Sequence, residues 1–171
     1  RGGAFLEESG YVVTGYHILN EESKDLLIRT RNGTTIPVSI AKVDKKQDIA
    51  LLKLTEALPD VRPLTLADSS TFYVRQPVFL IGSPFGLFPT TTNGIISALN
   101  KDGSTLGKGC PTCTKLVQTN AVVGLGSSGG PLLNEKGEVV GALTLRTLES
   151  NAFNFAVSAE HIKALINSMA E

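Results

Sequence analysis

Short apolar segments separated by turn residues run along the whole chain, and long helical periodicity is rare. Such segments, bounded by Gly, Pro, Asn and Asp, are typical of β-strands. In the clearest pair, residues 26–31 and 34–40 flank Asn32-Gly33, a strong hairpin signal. Pro37 has no N–H group to donate, so we expect its strand to lie at a sheet edge or to carry a bulge. The pattern predicts an all-β fold.

A segment rich in Pro, Asp and Ser, residues 55–72, divides the strands into two groups. We expect residues 1–66 and 73–157 to form two small antiparallel β-barrels that meet along a cleft within a single domain. Further predicted strands are residues 11–13, 48–54, 77–81, 94–99, 115–119, 131–133, 139–144 and 152–157.

The one convincing helix closes the chain at residues 158–169. Ser158 is a good N-cap, and four apolar residues follow at helical spacing: Ile162, Leu165, Ile166 and Met169. We expect this helix to pack one face against the barrels.

Composition narrows the class of partner. The 171 residues hold 42% hydrophobic and 19% charged side chains, as in ordinary globular domains. Lys+Arg and Asp+Glu are equal at 16 each, so no overall field attracts nucleic acid or an anionic membrane. No apolar run is long enough for a transmembrane helix. The first residues read as the middle of a strand, so we expect a piece of a longer precursor whose targeting signal lies outside it.

The two cysteines stand in one Cys110-Pro-Thr-Cys113 motif. A local disulfide or a pair of free thiols is the favoured interpretation. One such pair supplies only half of a zinc site, so a zinc site shared between subunits, like a redox switch, is a weaker alternative.

A glycine-dense loop, residues 124–131, carries the first candidate chemistry. Such a loop can point successive backbone N–H groups into one small volume, and Ser128 within it could act as a nucleophile. A serine hydroxyl also needs a base, and the chain has only two histidines. His17 follows a buried-looking strand in a turn, whereas His161 borders the apolar stripe of the final helix. His17, Asp48 and Ser128 occur in the order that chymotrypsin uses on its two barrels.

Three segments resemble the catalytic blocks of the Deg/HtrA serine proteases, a branch of the trypsin-like clan: residues 11–19, 48–54 and 126–134. Four more segments resemble other family motifs: residues 81–87, 94–98, 117–121 and 154–158. Ser127 departs from the family's usual Asn or Asp. The PDZ domain that commonly follows in this family has no counterpart in these residues.

The resemblance implies a chymotrypsin-like double barrel and a serine endopeptidase acting on unfolded or misfolded proteins. His17 would be the base, Asp48 its acid partner and Ser128 the nucleophile, with the N–H groups of Gly126 and Ser128 as the oxyanion hole. No metal or organic cofactor is implied. Trimers and an extracytoplasmic or organellar location are family expectations.

The loop before Ser128 and the strand opposite should wall the first substrate pocket, and they carry no acid that would attract Lys or Arg. We expect a preference for small or medium aliphatic residues in a pocket formed by five residues: Val122, Val123, Leu143, Thr144 and Leu145.

Two other functions compete with this interpretation. Gly126-Ser127-Ser128-Gly129-Gly130 also fits the nucleophile elbow of α/β-hydrolases, in which His161 would have to be the base. A protease homologue without catalysis, acting as a binding module, is the stronger alternative.

Overall fold

A computed structural model describes residues 1–19, 25–106, 109–146 and 152–171. Within them the fold is all-β with one α-helix, as the sequence predicted. The strands of the first half are β1 Ala4–Leu6, β2 Val12–Gly15, β3 Leu26–Arg29, β4 Thr35–Asp44 and β5 Ile49–Leu54. Those of the second half are β6 Pro77–Gly82, β7 Thr90–Lys101, β8 Leu116–Thr119, β9 Pro131–Leu133, β10 Val139–Arg146 and β11 Asn154–Ser158.

The second half closes into an antiparallel barrel, in the order β10-β11-β8-β7-β6-β9. The first half is a half-barrel: in the described residues it is a five-stranded sheet in the order β1-β2-β5-β4-β3. The connecting segment occupies the outer edge of β1, because Leu64 donates to the Leu6 carbonyl at 2.8 Å and accepts from Glu8 at 3.1 Å. The same segment continues to the barrel, where Ala67 donates to the Val139 carbonyl at 2.8 Å.

The predicted hairpin is confirmed, since β3 and β4 pair antiparallel from Leu26↔Val38 to Arg29↔Thr35. Of the two expectations for the strand of Pro37, an edge position or a bulge, the edge position does not apply, because β4 lies between β3 and β5. The proline is tolerated there because the pairing of β4 with β5 begins only at Val38. The expected bulge does occur, but further along β4, where the register shifts between Ile40 and Lys42.

One apolar cluster joins the two halves. It combines residues of the first sheet with residues from the outside of the barrel and from the helix: Phe5, Val13, Ile49, Leu51, Leu116, Leu133, Val139, Phe155, Ile162 and Leu165. A second cluster fills the barrel interior. The shared cluster fixes the two halves against each other, and burial of this apolar surface stabilises that arrangement.

The helix α1, Ala159–Asn167, follows its predicted N-cap, whose hydroxyl accepts from the Glu160 N–H. No helix in the described ranges has the length and apolar character to cross a membrane. Cys110 and Cys113 form a disulfide, which agrees with one of the two favoured interpretations of the pair.

Helix docking should be a measurable part of the stability. Ile162 is fully buried in the shared cluster, so Ile162→Ala should lower the free energy of unfolding by about 2–5 kcal/mol through lost burial and a residual cavity. Lys163 is the next residue of the helix and is exposed. Lys163→Ala should therefore change the free energy of unfolding by less than about 0.5 kcal/mol. Urea unfolding of both variants makes the comparison, and equal effects would contradict the docking.

Candidate active site

His17 and Asp48 meet at the end of β2 and the start of β5. The Asp48 carboxylate binds His17 twice: Oδ1 accepts the backbone N–H at 2.8 Å, and Oδ2 lies 2.6 Å from ring Nδ1. An ionised carboxylate can only accept, so Nδ1 carries the hydrogen. In the neutral ring, Nε2 is then the free acceptor, which is the tautomer that a general base requires.

Asp48 adopts an unusual backbone conformation for a residue with a side chain. Its φ is +58°, in the left-handed region, and β5 begins at the next residue, Ile49. The Tyr16 N–H donates to its carbonyl at 3.1 Å. The His17 side chain is 47% exposed and that of Asp48 only 10%, so a buried acid supports an accessible imidazole.

Thr144 brings the second half of the molecule to the same carboxylate. Its hydroxyl, on β10, donates to Asp48 Oδ2. The sequence placed this residue in the wall of a substrate pocket and missed this contact. A buried hydroxyl within a run of apolar residues needs a partner, and that was the available signal.

The pKa of the His17 imidazole is raised above its ordinary value. The hydrogen bond with Asp48 is the main cause and the charge of Asp48 adds to it, while partial burial opposes both. The folded state therefore binds this proton more tightly than the unfolded chain. The resulting stabilisation is complete below the ordinary pKa of about 6.5 and is lost as the pH rises through the raised value.

Ser128 is the second residue of the second of two consecutive turns, residues 124–127 and 127–130. The Ser127 N–H donates to the Gly124 carbonyl at 3.2 Å, and the Gly130 N–H donates to the Ser127 carbonyl at 3.0 Å. The third residue of each turn has positive φ, +96° at Gly126 and +85° at Gly129, which glycine adopts without strain. Within the described ranges, the N–H groups of Gly126 and Ser128 donate to no backbone carbonyl.

The Ser128 loop packs directly against the turn that carries His17. A Cβ on Gly129 would lie 2.7 Å from Thr14 Oγ1 and 2.9 Å from the Gly15 nitrogen, two residues before the histidine. The fold thus brings the loop that carries Ser128 against the turn that leads to His17. Among the residues described, no hydrogen bond joins the Ser128 hydroxyl to His17.

Gly3 holds the Ser128 loop from the other end of the sequence. Its N–H donates to the Ser128 carbonyl at 2.6 Å, while its own carbonyl accepts from Thr14 Oγ1 at 2.8 Å. A Cβ at Gly3 would lie 2.7 Å from the Gly130 nitrogen, so the approach requires glycine. The sequence pattern alone assigned Gly3 no role.

The predicted pocket residues lie in different environments. Val122 is 54% exposed beside the Ser128 loop, whereas Val123 and Leu143 belong to the barrel interior cluster. The backbone of Leu143 pairs with the loop, accepting from Gly129 at 2.7 Å. Leu145 lies in β10.

Asn154 is a further residue that sequence analysis matched to a family motif without giving it a role. It is buried, and its Nδ2 donates to the Ala121 carbonyl at 2.9 Å, where the loop toward Ser128 begins.

The nucleophile-elbow alternative is wrong for this chain. Every pairing between the described strands is antiparallel, whereas that elbow belongs to a largely parallel sheet. His161, its required base, instead has Nε2 3.0 Å from the Thr114 carbonyl and 3.2 Å from the Thr114 hydroxyl.

A first sheet that carries a His–Asp pair and a closed barrel that carries a serine in a glycine-rich loop are features of the trypsin-like serine peptidase fold. Residues 2–141 match the trypsin-like peptidase domain, and the chain belongs to this family. Within it, the chain is a protease domain of the Deg/HtrA group.

Two kinds of relative support the narrower grouping. Protease Do-like 1, chloroplastic, of Arabidopsis thaliana is 31% identical over 98% of this chain and 39% of its own length. Serine protease HTRA3 of Homo sapiens is 34% identical over 94% of this chain and 36% of its own length. The chain therefore spans less than half of the curated relatives it matches. The solved structure of the HtrA-type protease AlgW with a decapeptide superposes with a TM-score of 0.86 at 27% identity, covering 99% of this chain and 51% of that chain.

The pKa of His17 can be tested without any assumption about activity. Asp48→Asn removes the charge and the carboxylate acceptor, so the His17 pKa should fall toward the ordinary histidine value. NMR titration of the two imidazoles measures it, with His161 as the internal reference. An unchanged His17 pKa in the variant would show that Asp48 does not raise it.

Proposed function

We propose that this domain is a serine endopeptidase in which His17 is the general base, Asp48 its acid partner and Ser128 the nucleophile. The observation that carries the proposal is the two-point binding of His17 by the Asp48 carboxylate, at the backbone N–H and at ring Nδ1. This contact holds the imidazole in one orientation with Nε2 as the acceptor, and the turn that leads to His17 packs against the loop that carries Ser128.

In the proposed reaction, neutral His17 takes the proton of Ser128 Oγ as that oxygen attacks a peptide carbonyl. The imidazolium is stabilised by Asp48 and returns the proton to the leaving amine. Water, activated by the same base, then hydrolyses the acyl-enzyme. The N–H groups of Gly126 and Ser128 would bind the oxyanion, and losing one such donor typically costs about 10²–10³ in rate.

The substrate class we propose is unfolded or misfolded polypeptide, with a small or medium aliphatic side chain before the cleaved bond. Support comes from exposed apolar residues in the segments flanking the active site, Val122 and Leu125 before Ser128 and Leu87 and Phe88 after β6. A peptide is bound in the related AlgW structure. Assembly of the whole protein into trimers also belongs to this proposal.

We also infer an organellar or extracytoplasmic location for the whole protein. The chloroplastic relative and the Cys110–Cys113 disulfide both support it, because disulfides persist in oxidising compartments. The binding-module alternative is not favoured, since the base, the acid and the nucleophile are all present.

Removal of the nucleophile or the base should abolish hydrolysis. Ser128→Ala and His17→Ala should each reduce turnover of unfolded casein by about 10⁶, because the two groups act as one unit. A fluorophosphonate probe should label the wild type at Ser128 and fail with either variant. Ser127→Ala changes the neighbouring serine and serves as the control. Wild-type and Ser128→Ala proteins that behave alike would contradict the proposal.

Activity should depend on pH through His17. Only the neutral imidazole accepts the serine proton, so the rate should fall as the pH drops through the His17 pKa. Because Asp48 raises that pKa, the midpoint should lie above the ordinary value of about 6.5. Casein hydrolysis between pH 4 and pH 9 measures it, and a profile flat down to about pH 4 would exclude His17 as the base.

A further inference from the structure

Gln47, immediately before Asp48, is a buried polar residue that the proposed reaction does not use. Both polar atoms of its side-chain amide are hydrogen-bonded to one residue, Thr114, in the other half of the molecule. Oε1 accepts the Thr114 N–H at 3.0 Å, and Nε2 donates to Thr114 Oγ1 at 3.1 Å. A buried amide satisfied in this way is fixed in position, because breaking either bond leaves a polar atom without a partner.

Thr114 is itself held from two sides. His161 of α1 approaches its carbonyl with Nε2 at 3.0 Å. On the other side, the Cys110–Cys113 disulfide closes the loop that leads to it. Thr112 in that loop donates its hydroxyl to the Lys46 carbonyl at 2.7 Å. The loop of residues 110–114 therefore holds two consecutive residues, Lys46 and Gln47, directly before the acid of the active site.

The backbone at Asp48 explains why this support matters. Its left-handed φ of +58° is unfavourable for a residue with a Cβ, so its neighbours must maintain it. On the C-terminal side, Ile49 is anchored in β5 by pairing with Gly15. On the N-terminal side, the Gln47 N–H is bound to Asp44 Oδ1 at 3.0 Å, and its side chain is bound to Thr114.

We propose that Gln47 is a positioning residue of the active site, which through Thr114 holds the Asp48 carboxylate in the orientation that binds His17. The inference rests on the proposed peptidase function for its kinetic consequences, though not for its structural ones. Gln47 touches neither substrate nor reacting atoms, so it acts only through Asp48. In the part of the chain that the structure describes, Asp48 is also the group whose charge raises the His17 pKa.

The test uses Gln47→Met, which keeps the length of the side chain and removes both hydrogen bonds. Thr114→Val removes the hydroxyl and with it the contacts to Gln47 Nε2 and His161 Nε2, and Thr114→Ser retains it. Thr55→Val is the matched control, because it deletes an equivalent threonine bond, to the Pro37 carbonyl at 2.8 Å, at the far end of β5.

Gln47→Met should lower kcat for a peptide substrate by about tenfold with KM unchanged, since a displaced base slows chemistry rather than binding. It should also lower the His17 pKa and shift the acid limb of the rate profile with it. Thr114→Val should move both quantities the same way by less, Thr114→Ser should restore them, and Thr55→Val should leave them unchanged.

The His17 titration is repeated by NMR with each substitution in a Ser128→Ala background, so this readout needs no turnover. An unchanged His17 pKa and an unchanged kcat in folded Gln47→Met would overturn the positioning role. If Gln47→Met does not fold, Thr114→Val decides in the same way. A shifted His17 pKa together with a wild type that hydrolyses nothing would support the positioning role and reject the peptidase function.

Discussion

The Asp48 carboxylate is the contact on which the active site depends. It accepts the backbone N–H and the ring Nδ1 of His17 from its own half, and the Thr144 hydroxyl from the other. A carboxylate offers about four acceptor sites, and here three are used by donors from distant parts of the chain. The arrangement of the two halves and the orientation of the imidazole are therefore set by the same group.

The shared apolar cluster makes that contact possible. Residues of β2 and β5 pack against the outside of the barrel, with α1 closing the cluster, so the strands that carry His17 and Asp48 have a fixed position relative to β10. The glycine-rich loop of Ser128 then fits between them because Gly129 has no side chain to collide with Thr14. Packing positions the elements, and the hydrogen bonds of Asp48 orient the reacting group.

The sequence predicted the features that depend on local pattern and on the order of residues along the chain. The hairpin at Asn32-Gly33, the N-cap at Ser158 and the fold class followed from turn chemistry, periodicity and family motifs. The meeting of His17 with Asp48 followed from their order. It did not predict contacts that depend on tertiary approach. The hydroxyl of Thr144, the amide of Asn154 and the N–H of Gly3 find their partners only after distant strands are packed together. The interior position of Pro37 likewise depends on where β5 ends.

The bond from Gly3 to the Ser128 carbonyl has a consequence for biosynthesis. A ribosome makes Gly3 well before Ser128, and α1, which closes the shared cluster, follows both. A nascent chain that still lacks Thr144 and Ile162 has the histidine and its acid but not the contacts that hold them in register. The bond between Thr144 and Asp48 and the docking of α1 therefore form only after both halves of the domain have been synthesised.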